Sequence, residues 1–486
     1  MEPIRILTDD QMAQIDAAAQ TILEQTGMII DSEEALDLLE KAGYAIDRAT
    51  SLVKFPRKLV QETIARMRKG YDDPDRPERM PVRYSHVRFR RTPHQVHQDF
   101  TVSAGGFNCF LVDLDGVRRT ATREDVLCAI NMVNGLDDID LTGLPVSDQT
   151  VPADDRPVVM AATLAKYTRK IGGIETFRVE DVRAIHEIAQ VVAGSEENLR
   201  AHPALVGYAE VRSPLCFDRN MVEIFMEYIK LGVPQTVDTM PAGGSTAPMT
   251  GAGVLALGAA ETIAPMVLAY AIDENAVVGM DILPSYTDMS SGLYQYAAPE
   301  RLNLIAARVQ LLSEYYGCPT GVHGGKTDSC FLNEQTGAEK MGSMLMAVLS
   351  GAVAVGTVGH VENAVTFSPV QLVIDNEIAR AVRRMIREPI EVSEETLATD
   401  LINKVGPSGN FLGESHTAEH FRDELLLSPL FTTQAYEQAH ATPEQFDTVP
   451  KATEIARGLW TPVTEPVLDD DQVKAIDAIV ASALTS

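Results

Sequence analysis

The sequence has 486 residues, with 41 lysines and arginines against 69 aspartates and glutamates, a formal net charge of −28 at pH 7. A surface with this excess of negative charge repels phosphate groups, so binding to nucleic acid or to anionic membranes is not expected. Apolar residues make up 45% of the chain, enough for a large barrel with extensions or for two domains. The charge indicates a solvated, soluble surface, and the alternative is an acidic face that docks a protein partner.

The cysteines bear on the cellular compartment. Five of them are dispersed along the chain without metal-ligand spacing: Cys109, Cys128, Cys216, Cys318 and Cys330. An odd, dispersed set is typical of a reducing cytoplasm and provides no disulfide framework. The opening MEPIRILTDDQ also lacks the basic and apolar regions of a signal peptide. We therefore expect a cytoplasmic protein.

Residues 8–70 are predicted to be mainly helical. In TDDQMAQIDAAAQTILEQTG the apolar residues recur every three or four positions, and the helix is expected to end at Gly27. A second helix is predicted over 33–43, followed by the short strand SLVKFP and a third helix from Arg57 to Met67. These elements form an N-terminal helical extension.

A linker is predicted over residues 72–81, where DDPDRPERMP has three prolines and alternating charge. We place a domain boundary there, with the extension over 1–78 and the main domain, including a C-terminal tail, over 79–486. The segment 251–272 is apolar enough to suggest a membrane span. Glu261 lies at its centre and Pro265 interrupts it, so a helix buried against a sheet is the better interpretation.

Short β-rich runs alternate with amphipathic or alanine-rich stretches of helical length beyond about residue 100. The runs are SAGGFNCFLVD, IDLTGLPVS, KIGGIETF, ALVGYAEV, PQTVDTM, AVVGMDIL, CPTGVHGG and VAVGTVGHV. Helices are predicted over 157–168, 179–193, 219–231, 249–272, 299–316, 334–350 and 370–387. This spacing is typical of parallel βαβ units. We predict an α/β fold, a TIM (β/α)8 barrel with an N-terminal helical extension; an open sheet is the alternative.

The stretch GVHGGKTDSCFLNEQTGAEK, residues 321–340, follows one of these predicted strands. In a barrel the functional residues lie where strands run into the following loops, and the glycines here would let the backbone approach a ligand closely. The stretch contains no nucleophile elbow, CxxC pair or HExxH zinc motif. The stretch therefore looks like the floor of a site, but it holds no obvious catalytic set.

Five ordered motifs show a resemblance to a known family. They are ILEQTGMIIDSEEALDLLEKAGYAID, MPAGGSTAPMTGAGVLALGAAE, YGCPTGVHGGKTDSCFLNEQTGAEK, VIDNEIAR and GNFLGESHTAEHFRDELLLSPLF. Together they cover nearly the whole length, and the chain resembles the trimethylamine methyltransferase superfamily. In trimethylamine enzymes of that family a pyrrolysine lies in or near the third motif, whereas this sequence has only standard residues there. It therefore resembles the members without pyrrolysine, which act on quaternary amines.

The resemblance implies methyl transfer to Co(I) of a corrinoid (cobalamin) carried by a separate corrinoid-binding protein. Glycine betaine is the leading substrate, with proline betaine, carnitine or a sulfonium compound behind it. A quaternary ammonium already has a neutral amine as its leaving group, so orientation and desolvation suffice and acid activation is not needed. The family and the Ala/Gly-rich helices also suggest a homo-oligomer. No metal bound directly by the chain is expected, despite the HxxxH spacing of His416 and His420.

Candidate site residues follow from this chemistry. Aromatic faces recognise quaternary ammonium groups, and a carboxylate needs cationic or polar donors. The aromatic candidates on predicted loops are Phe107, Phe177, Tyr286, Tyr294 and Phe411, with Phe110, Tyr208 and Tyr296 as further members. The candidate carboxylate donors are His323, Lys326, Asn410 and His416, with Arg212 as a further one. The remaining pocket candidates are Gly324, Gly325, Asp328 and Cys330.

Two other classes of function compete with this interpretation. One is a barrel lyase or aldolase in which Lys170 or Lys326 forms a Schiff base with a carbonyl substrate. The other is a non-catalytic binding subunit whose acidic face docks a partner.

Overall fold

A computed structural model describes residues 3–72, 100–201, 203–386 and 390–484 of the chain. The helices are α1 (Asp9–Thr21), α2 (Glu33–Lys41), α3 (Arg57–Asp72), α4 (Arg123–Gly135), α5 (Arg156–Tyr167), α6 (Val179–Ala193), α7 (Glu196–Ala201), α8 (Arg219–Lys230), α9 (Gly251–Ile272), α10 (Pro299–Gln310), α11 (Glu334–Leu349), α12 (Pro369–Ile386), α13 (Glu394–Leu397), α14 (Thr399–Val405), α15 (Ser415–Glu424), α16 (Tyr436–Ala441), α17 (Pro443–Phe446), α18 (Thr448–Leu459) and α19 (Asp470–Ala483).

The strands are short, and π-helical turns over Ile22–Thr26 and Leu311–Tyr315 continue α1 and α10. The strands are β1 (Met28–Ile30), β2 (Ala45–Asp47), β3 (Leu52–Lys54), β4 (Thr101–Ala104), β5 (Phe110–Val112), β6 (Arg118–Thr120), β7 (Leu141–Thr142), β8 (Ala209–Val211), β9 (Cys216–Phe217), β10 (Gln235–Thr239), β11 (Ala242–Gly243), β12 (Val278–Ile282), β13 (Ser285–Tyr286), β14 (Gly321–Val322), β15 (Ala354–Gly356), β16 (His360–Val361) and β17 (Thr366–Phe367).

Two parallel sheets form the centre of the molecule. One has the order β14-β15-β4-β7 and the other the order β12-β10-β8. A bridge from Thr142 to Ile171 extends the first sheet, and the Ile174 amide then donates to the Val206 carbonyl at 3.2 Å, just before β8. At the other edge the Arg308 guanidinium joins Asp281 of β12 to Gly321 of β14. Helices lie between successive parallel strands, so the predicted α/β class is confirmed.

Hydrophobic side chains on one face of each sheet pack against helices. Val102 and Val355 of the first sheet belong to a cluster shared with α4, α5, α6 and α12. Val237 and Met280 of the second sheet belong to a cluster shared with α9 and with α1–α3. The N-terminal helices therefore share a core with the second sheet. The predicted boundary at 78/79 lies outside the described residues, as does nearly all of the predicted linker, and it stays a prediction.

Helix α9 is the predicted buried helix. Within the described residues it is the one helix long and apolar enough to cross a membrane, but 89% of its most apolar window is buried in the protein. Its Glu261 carboxylate accepts hydrogen bonds from Ser213 Oγ at 2.7 Å and from the Leu215 amide at 2.9 Å, and from the Thr239 hydroxyl. Burial raises the pKa of Glu261. The acidic residue thus fixes a loop to the end of β10.

Residues 390–446 lie outside both clusters except at Leu430. The five short helices α13–α17 bury none of their residues. The segment contacts α12 where Arg384 donates to the Asp423 carbonyl. Large apolar side chains are exposed along it: Ile390, Val392, Leu397, Ile402, Phe411, Leu412, Leu425, Leu427, Phe431 and Tyr436. We call residues 390–436 the C-terminal arm.

A fully buried ion pair joins α11 to α12. The Lys340 ammonium lies 2.7 Å from the Asp375 carboxylate and 2.5 Å from the Gly325 carbonyl, and Asp375 also accepts from the Gly359 amide at 2.5 Å. Gln371 Nε2 donates to the second carboxylate oxygen at 2.8 Å. Burial lowers the pKa of Lys340 and raises that of Asp375, and the attraction between the two opposes both shifts. The pair therefore holds the loops after β14 and β15 at a fixed separation.

Replacing Lys340 by Met should reduce the free energy of unfolding by about 3–5 kcal/mol, because the Asp375 charge would then be buried without a partner. Lys404 and Glu414 form a matched control pair at the same 2.7 Å, but the lysine side chain is 70% exposed. K404M should cost less than about 1 kcal/mol. Urea unfolding of the two variants checks this, and equal losses would refute a structural role for the buried pair.

Candidate active site

The faces of the two sheets turned away from the helices carry polar side chains. In the second sheet Glu210, Asp238 and Asp281 are cross-strand neighbours, one residue beyond Ala209, Val237 and Met280, which face the helices. Side chains alternate along a strand, so the three carboxylates share the opposite face. Asp238 and Asp281 are buried and Glu210 is half-buried. This face is therefore acidic.

Arg308 neutralises one of the three carboxylates. It contacts Asp281 and also donates to Thr320 Oγ1 at 2.6 Å and to the Gly321 carbonyl at 2.7 Å. Both the arginine and the aspartate are buried. Asp281 is therefore part of the link between β12 and β14.

The loop after β14 contains most of the predicted pocket residues. His323 and Lys326 are 4% and 7% exposed, so both lie inside the protein. A Cβ atom at Gly325 would lie 2.6 Å from the Val358 amide nitrogen, so only glycine allows this approach of the loops after β14 and β15. A Cβ at Gly324 would lie 3.0 Å from the Val355 side chain. These glycines serve close packing of the backbone beneath the site.

Two tyrosines lie next to this loop. The rings of Tyr294 and Tyr296 are 4.8 Å apart, and the Tyr294 hydroxyl donates to the Leu283 carbonyl at the end of β12. The Lys326 ammonium lies 4.2 Å from the centre of the Tyr296 ring. Burial raises the pKa of Tyr296, and the nearby Tyr294 and the charges of Glu210 and Asp328 raise it further.

Asp328 fixes the tyrosine loop. Its carboxylate accepts from the Tyr296 amide at 2.6 Å and from the Ala297 amide at 3.0 Å. Burial raises its pKa, and the two amide hydrogen bonds oppose that shift. Asp328 therefore acts on the site by holding Tyr296 in place beside Lys326.

The loops after the remaining strands complete the site with small and aromatic residues. The Tyr208 hydroxyl donates to Glu175, and both residues line a small cavity of about 30 Å³ whose other walls include Ser103, Gly105, Gly106, Gly143 and Gly173. The Phe107 and Phe177 rings meet edge to face at 6.2 Å just beyond it. We refer to these loops, together with Tyr294–Ala297 and His323–Asp328, as the strand-end site.

His360 is the buried histidine of the loop after β15. One ring nitrogen contacts the Gly105 carbonyl, and Asn108 Nδ2 lies 3.3 Å from the ring. Burial lowers the pKa of His360 well below the usual range for histidine, and the positive charges of Lys326 and Lys340 lower it further. His360 is therefore neutral at physiological pH and joins the loops after β15 and β4.

Several predicted site residues lie elsewhere. The Tyr286 ring packs on Gly243 and against the start of α9 at Gly251, and Cys330 is exposed. Asn410, Phe411 and His416 belong to the C-terminal arm.

Asp423 of that arm meets Arg384 at the end of α12, and the adjacent Arg383 binds Asp138, Asp140 and the Phe100 carbonyl at the amino ends of β7 and β4. Phe431 of the arm instead lines a cavity with Leu332 and Asn333 at the start of α11. The structure therefore brings Tyr294, His323, Lys326 and Asp328 together, with Phe107 and Phe177 nearby, but not the arm residues.

Sequence reasoning did not single out Glu210, Asp238 or Asp281. Each is an acidic residue inside an otherwise apolar strand, in ALVGYAEV, PQTVDTM and AVVGMDIL. A carboxylate in the middle of a buried strand is unusual, and that pattern could have marked all three.

Lys170 does not lie where a Schiff base could form in the strand-end site. Its ammonium donates to the carbonyls of Val133, Leu136 and Ile139 at 2.7–2.8 Å, where the chain turns from α4 towards β7. Lys170 therefore stabilises the end of a helix, and the aldolase alternative loses one of its two candidate lysines.

Comparison with known proteins identifies the family. The family model for trimethylamine methyltransferase (MTTB) matches residues 1–484. The chain is 28% identical to the trimethylamine methyltransferase MttB of Desulfitobacterium hafniense, over 94% of this chain and 93% of that protein. It is 27% identical to a glycine betaine methyltransferase of the same species, over 98% of this chain and 96% of that protein.

Among solved structures, the monomethylamine methyltransferase MtmB of Methanosarcina barkeri is 12% identical, with 98% of this chain and 94% of that one covered and a TM-score of 0.43. The predicted family is confirmed, since the family model matches nearly the whole chain. The chain belongs to the trimethylamine methyltransferase family and is an enzyme of the methyltransferase class.

Proposed function

We propose that the enzyme moves a methyl group from a quaternary amine, glycine betaine first, to Co(I) of a corrinoid carried by a separate protein. The observation that carries the proposal is the acidic face of the second sheet, where the charge of the half-buried Glu210 acts on Tyr296 and helps to raise the pKa of that tyrosine. Negative charge and an aromatic face together attract a quaternary ammonium, which has no proton to donate in a hydrogen bond. Membership of a family that includes a glycine betaine methyltransferase supports the same substrate class.

We also propose that the two sheets close into the (β/α)8 barrel expected from the sequence. Eight parallel segments follow in order around the centre: β4, β7, residues 171–174, β8, β10, β12, β14 and β15. Both sheets turn polar side chains, such as Ser103 and Asp238, away from their helices, and these side chains are buried. Two polar faces can both be buried if they face each other, as they do inside a barrel.

The reaction requires little proton chemistry from the protein. The C–N bond breaks with its electron pair left on nitrogen, which gives a neutral tertiary amine, and the acceptor's Co(I) supplies the pair for the new Co–C bond. The residues of the strand-end site would bind the ammonium and exclude water, which raises the reactivity of the cation. A missing pyrrolysine is consistent with this, because the leaving group needs no further activation. Proline betaine, carnitine and sulfonium compounds fit the same chemistry.

The outer edge of the strand-end site fits a protein partner. Exposed apolar side chains surround it, and Met249 and Met289 both lie beside Gly244. The loop that bears Val365 is joined to the neighbouring loops by hydrogen bonds from the Glu362 amide to Ser329 and from Asn363 Nδ2 to Tyr294. We define the apolar rim as the side chains Met249, Met289, Leu293, Phe331 and Val365. Exposed apolar side chains at a site entrance are typical of an interaction surface, and here they would receive the corrinoid protein.

The C-terminal arm supports the expected homo-oligomer. Its Ile390 and Leu412 side chains are 91% and 87% exposed, and the helices α13–α17 bury none of their residues. A segment with so many exposed apolar side chains is stabilised when another subunit covers it. We therefore propose that the arm packs on a second copy of this chain.

Purified enzyme mixed anaerobically with cob(I)alamin should form methylcobalamin and dimethylglycine from glycine betaine but no methylcobalamin from trimethylamine. E210Q should lower kcat/KM for the betaine by about tenfold or more, since it removes charge beside the ammonium. E274Q, whose side chain is 77% exposed, is the matched control and should match wild type. The visible spectrum of the cobalamin reports the formation of methylcobalamin. No methylation with any quaternary amine, also when a corrinoid protein is supplied, would refute the proposal.

Charge placed on the apolar rim should separate docking from chemistry. M289E and F331E change side chains that are 73% and 71% exposed, so the fold should tolerate both. Methyl transfer to the corrinoid protein should fall about tenfold or more, while transfer to free cob(I)alamin should not change. I6E, on a 42% exposed side chain far from the rim, should leave both rates intact. Equal effects of the rim variants on both acceptors would contradict docking at this surface.

Charge placed on the C-terminal arm should weaken self-association. Light scattering of wild type should give a multiple of the 52.9 kDa chain mass. The double variant I390E/L412E should dissociate at a concentration about 10- to 100-fold higher, because charged groups would be buried in the interface. M289E on the rim serves as the control and should keep the wild-type mass. A monomeric wild type would refute the role of the arm.

A further inference from the structure

We propose that Asn363 is a positioning residue of the strand-end site. It lies in a left-handed turn after β16 and joins the tyrosine loop, residues 294–297, to the loop after β14. These two loops are facing walls of the site, so the turn sets their separation. The inference deepens the proposed function, and it rests on that function for the effect on substrate binding.

Three successive residues between β16 and β17 have a left-handed backbone. The φ angles of Glu362, Asn363 and Ala364 are +56°, +50° and +65°. Glycine adopts this region freely and asparagine tolerates it, whereas glutamate and alanine adopt it at a cost. Residues other than glycine normally visit it singly rather than in succession. Such a conformation persists only where the surrounding contacts enforce it.

The contacts that enforce the turn lead into both walls of the site. The amides of Glu362 and Asn363 donate to the carbonyls of Ser329 at 2.8 Å and Thr327 at 3.2 Å, in the stretch that follows β14. The side chain of Asn363 donates through Nδ2 to the Tyr294 carbonyl at 2.8 Å. Asn363 is therefore bound by its backbone to one wall and by its side chain to the other.

Asp328 makes a second link between the same two walls. Its carboxylate accepts from the amides of Tyr296 and Ala297 at 2.6 and 3.0 Å. The end of β12 and Arg301 of α10 also hold the tyrosine loop, but both are its neighbours in sequence. Asp328 and Asn363 instead reach it from the loops after β14 and β15, so three loops remote in sequence are joined at one place.

The separation of the walls matters for recognition of a cation. An aromatic ring attracts an ammonium group only when the ammonium lies within about 6 Å of the ring centre. The Tyr296 ring belongs to one wall, and its distance from the opposite wall decides whether a bound ammonium can stay within that range. A wall that moves by about 1 Å weakens binding without any change in the groups that contact the substrate.

The left-handed turn itself is tested first. A364G should lower the equilibrium constant for unfolding by about fivefold, because glycine adopts this backbone without the cost that alanine bears. A13G, on an exposed alanine of α1, is the matched control and should raise that constant, since glycine is unfavourable inside a helix. Urea unfolding measures both. A loss of stability in A364G would overturn the turn and the inference with it.

Hydrogen exchange tests the link to the tyrosine loop without any substrate. N363G keeps the left-handed backbone but removes the side-chain donor, so amide exchange in residues 294–297 should become about three- to tenfold faster, the range expected for one hydrogen bond. N134G removes a matched bond at the end of α4, from Asn134 Nδ2 to the Tyr167 carbonyl at 3.1 Å, and should leave this exchange unchanged. Wild-type exchange in N363G would refute the role of Asn363. If N363G does not fold, N363D, which keeps the size of the side chain but cannot donate, replaces it.

Calorimetric titration with glycine betaine tests the effect on the site. The Kd should rise about three- to tenfold in N363G and stay at the wild-type value in N134G, which controls for any loss of stability. If wild type and N363G bind the betaine equally, Asn363 does not position the site and the methyltransferase proposal stands. If wild type binds no quaternary amine, the proposed function fails, while the exchange measurement still decides whether Asn363 fixes the tyrosine loop.

Discussion

The strand-end site depends on the buried ion pair between Lys340 and Asp375. One lysine ammonium and one carboxylate, both fully enclosed, reach the Gly325 carbonyl and the Gly359 amide. Removing two charges from water is costly unless each has a close partner and further hydrogen bonds. Lys340 and Asp375 have such partners in the observed geometry, and this fixes the separation of the loops after β14 and β15. Gly325 completes this constraint, since any larger residue would push the two loops apart.

The titratable groups around the site separate into two kinds. Asp375, Asp281 and Asp328 each receive hydrogen bonds from cations or amides of the protein itself, and they hold strands and loops together. Glu210 is half-buried and lies on the same face as Asp238, so this face adds negative charge to the site.

Apolar surface is left uncovered in two places, the apolar rim and the C-terminal arm. The apolar rim lies on loops at the carboxyl ends of the strands, and the C-terminal arm runs from Asp423, beside Arg384 at the end of α12, to Phe431, which lines a cavity with Leu332 at the start of α11. The strong negative charge of the chain favours solubility but does not cover these apolar side chains.

The sequence by itself determined the family, the α/β class and most helix positions. Helix α6 spans 179–193 as predicted, since its apolar period and the following Gly194 are local signals. The tertiary structure alone decided which residues meet. Glu210, Asp238 and Asp281 align through the register of three strands distant in sequence, while Asn410, Phe411 and His416 lie in the C-terminal arm, which contacts α12 through Asp423. Motif order carries no information on register or on the direction in which a long tail folds, because both depend on contacts between remote segments.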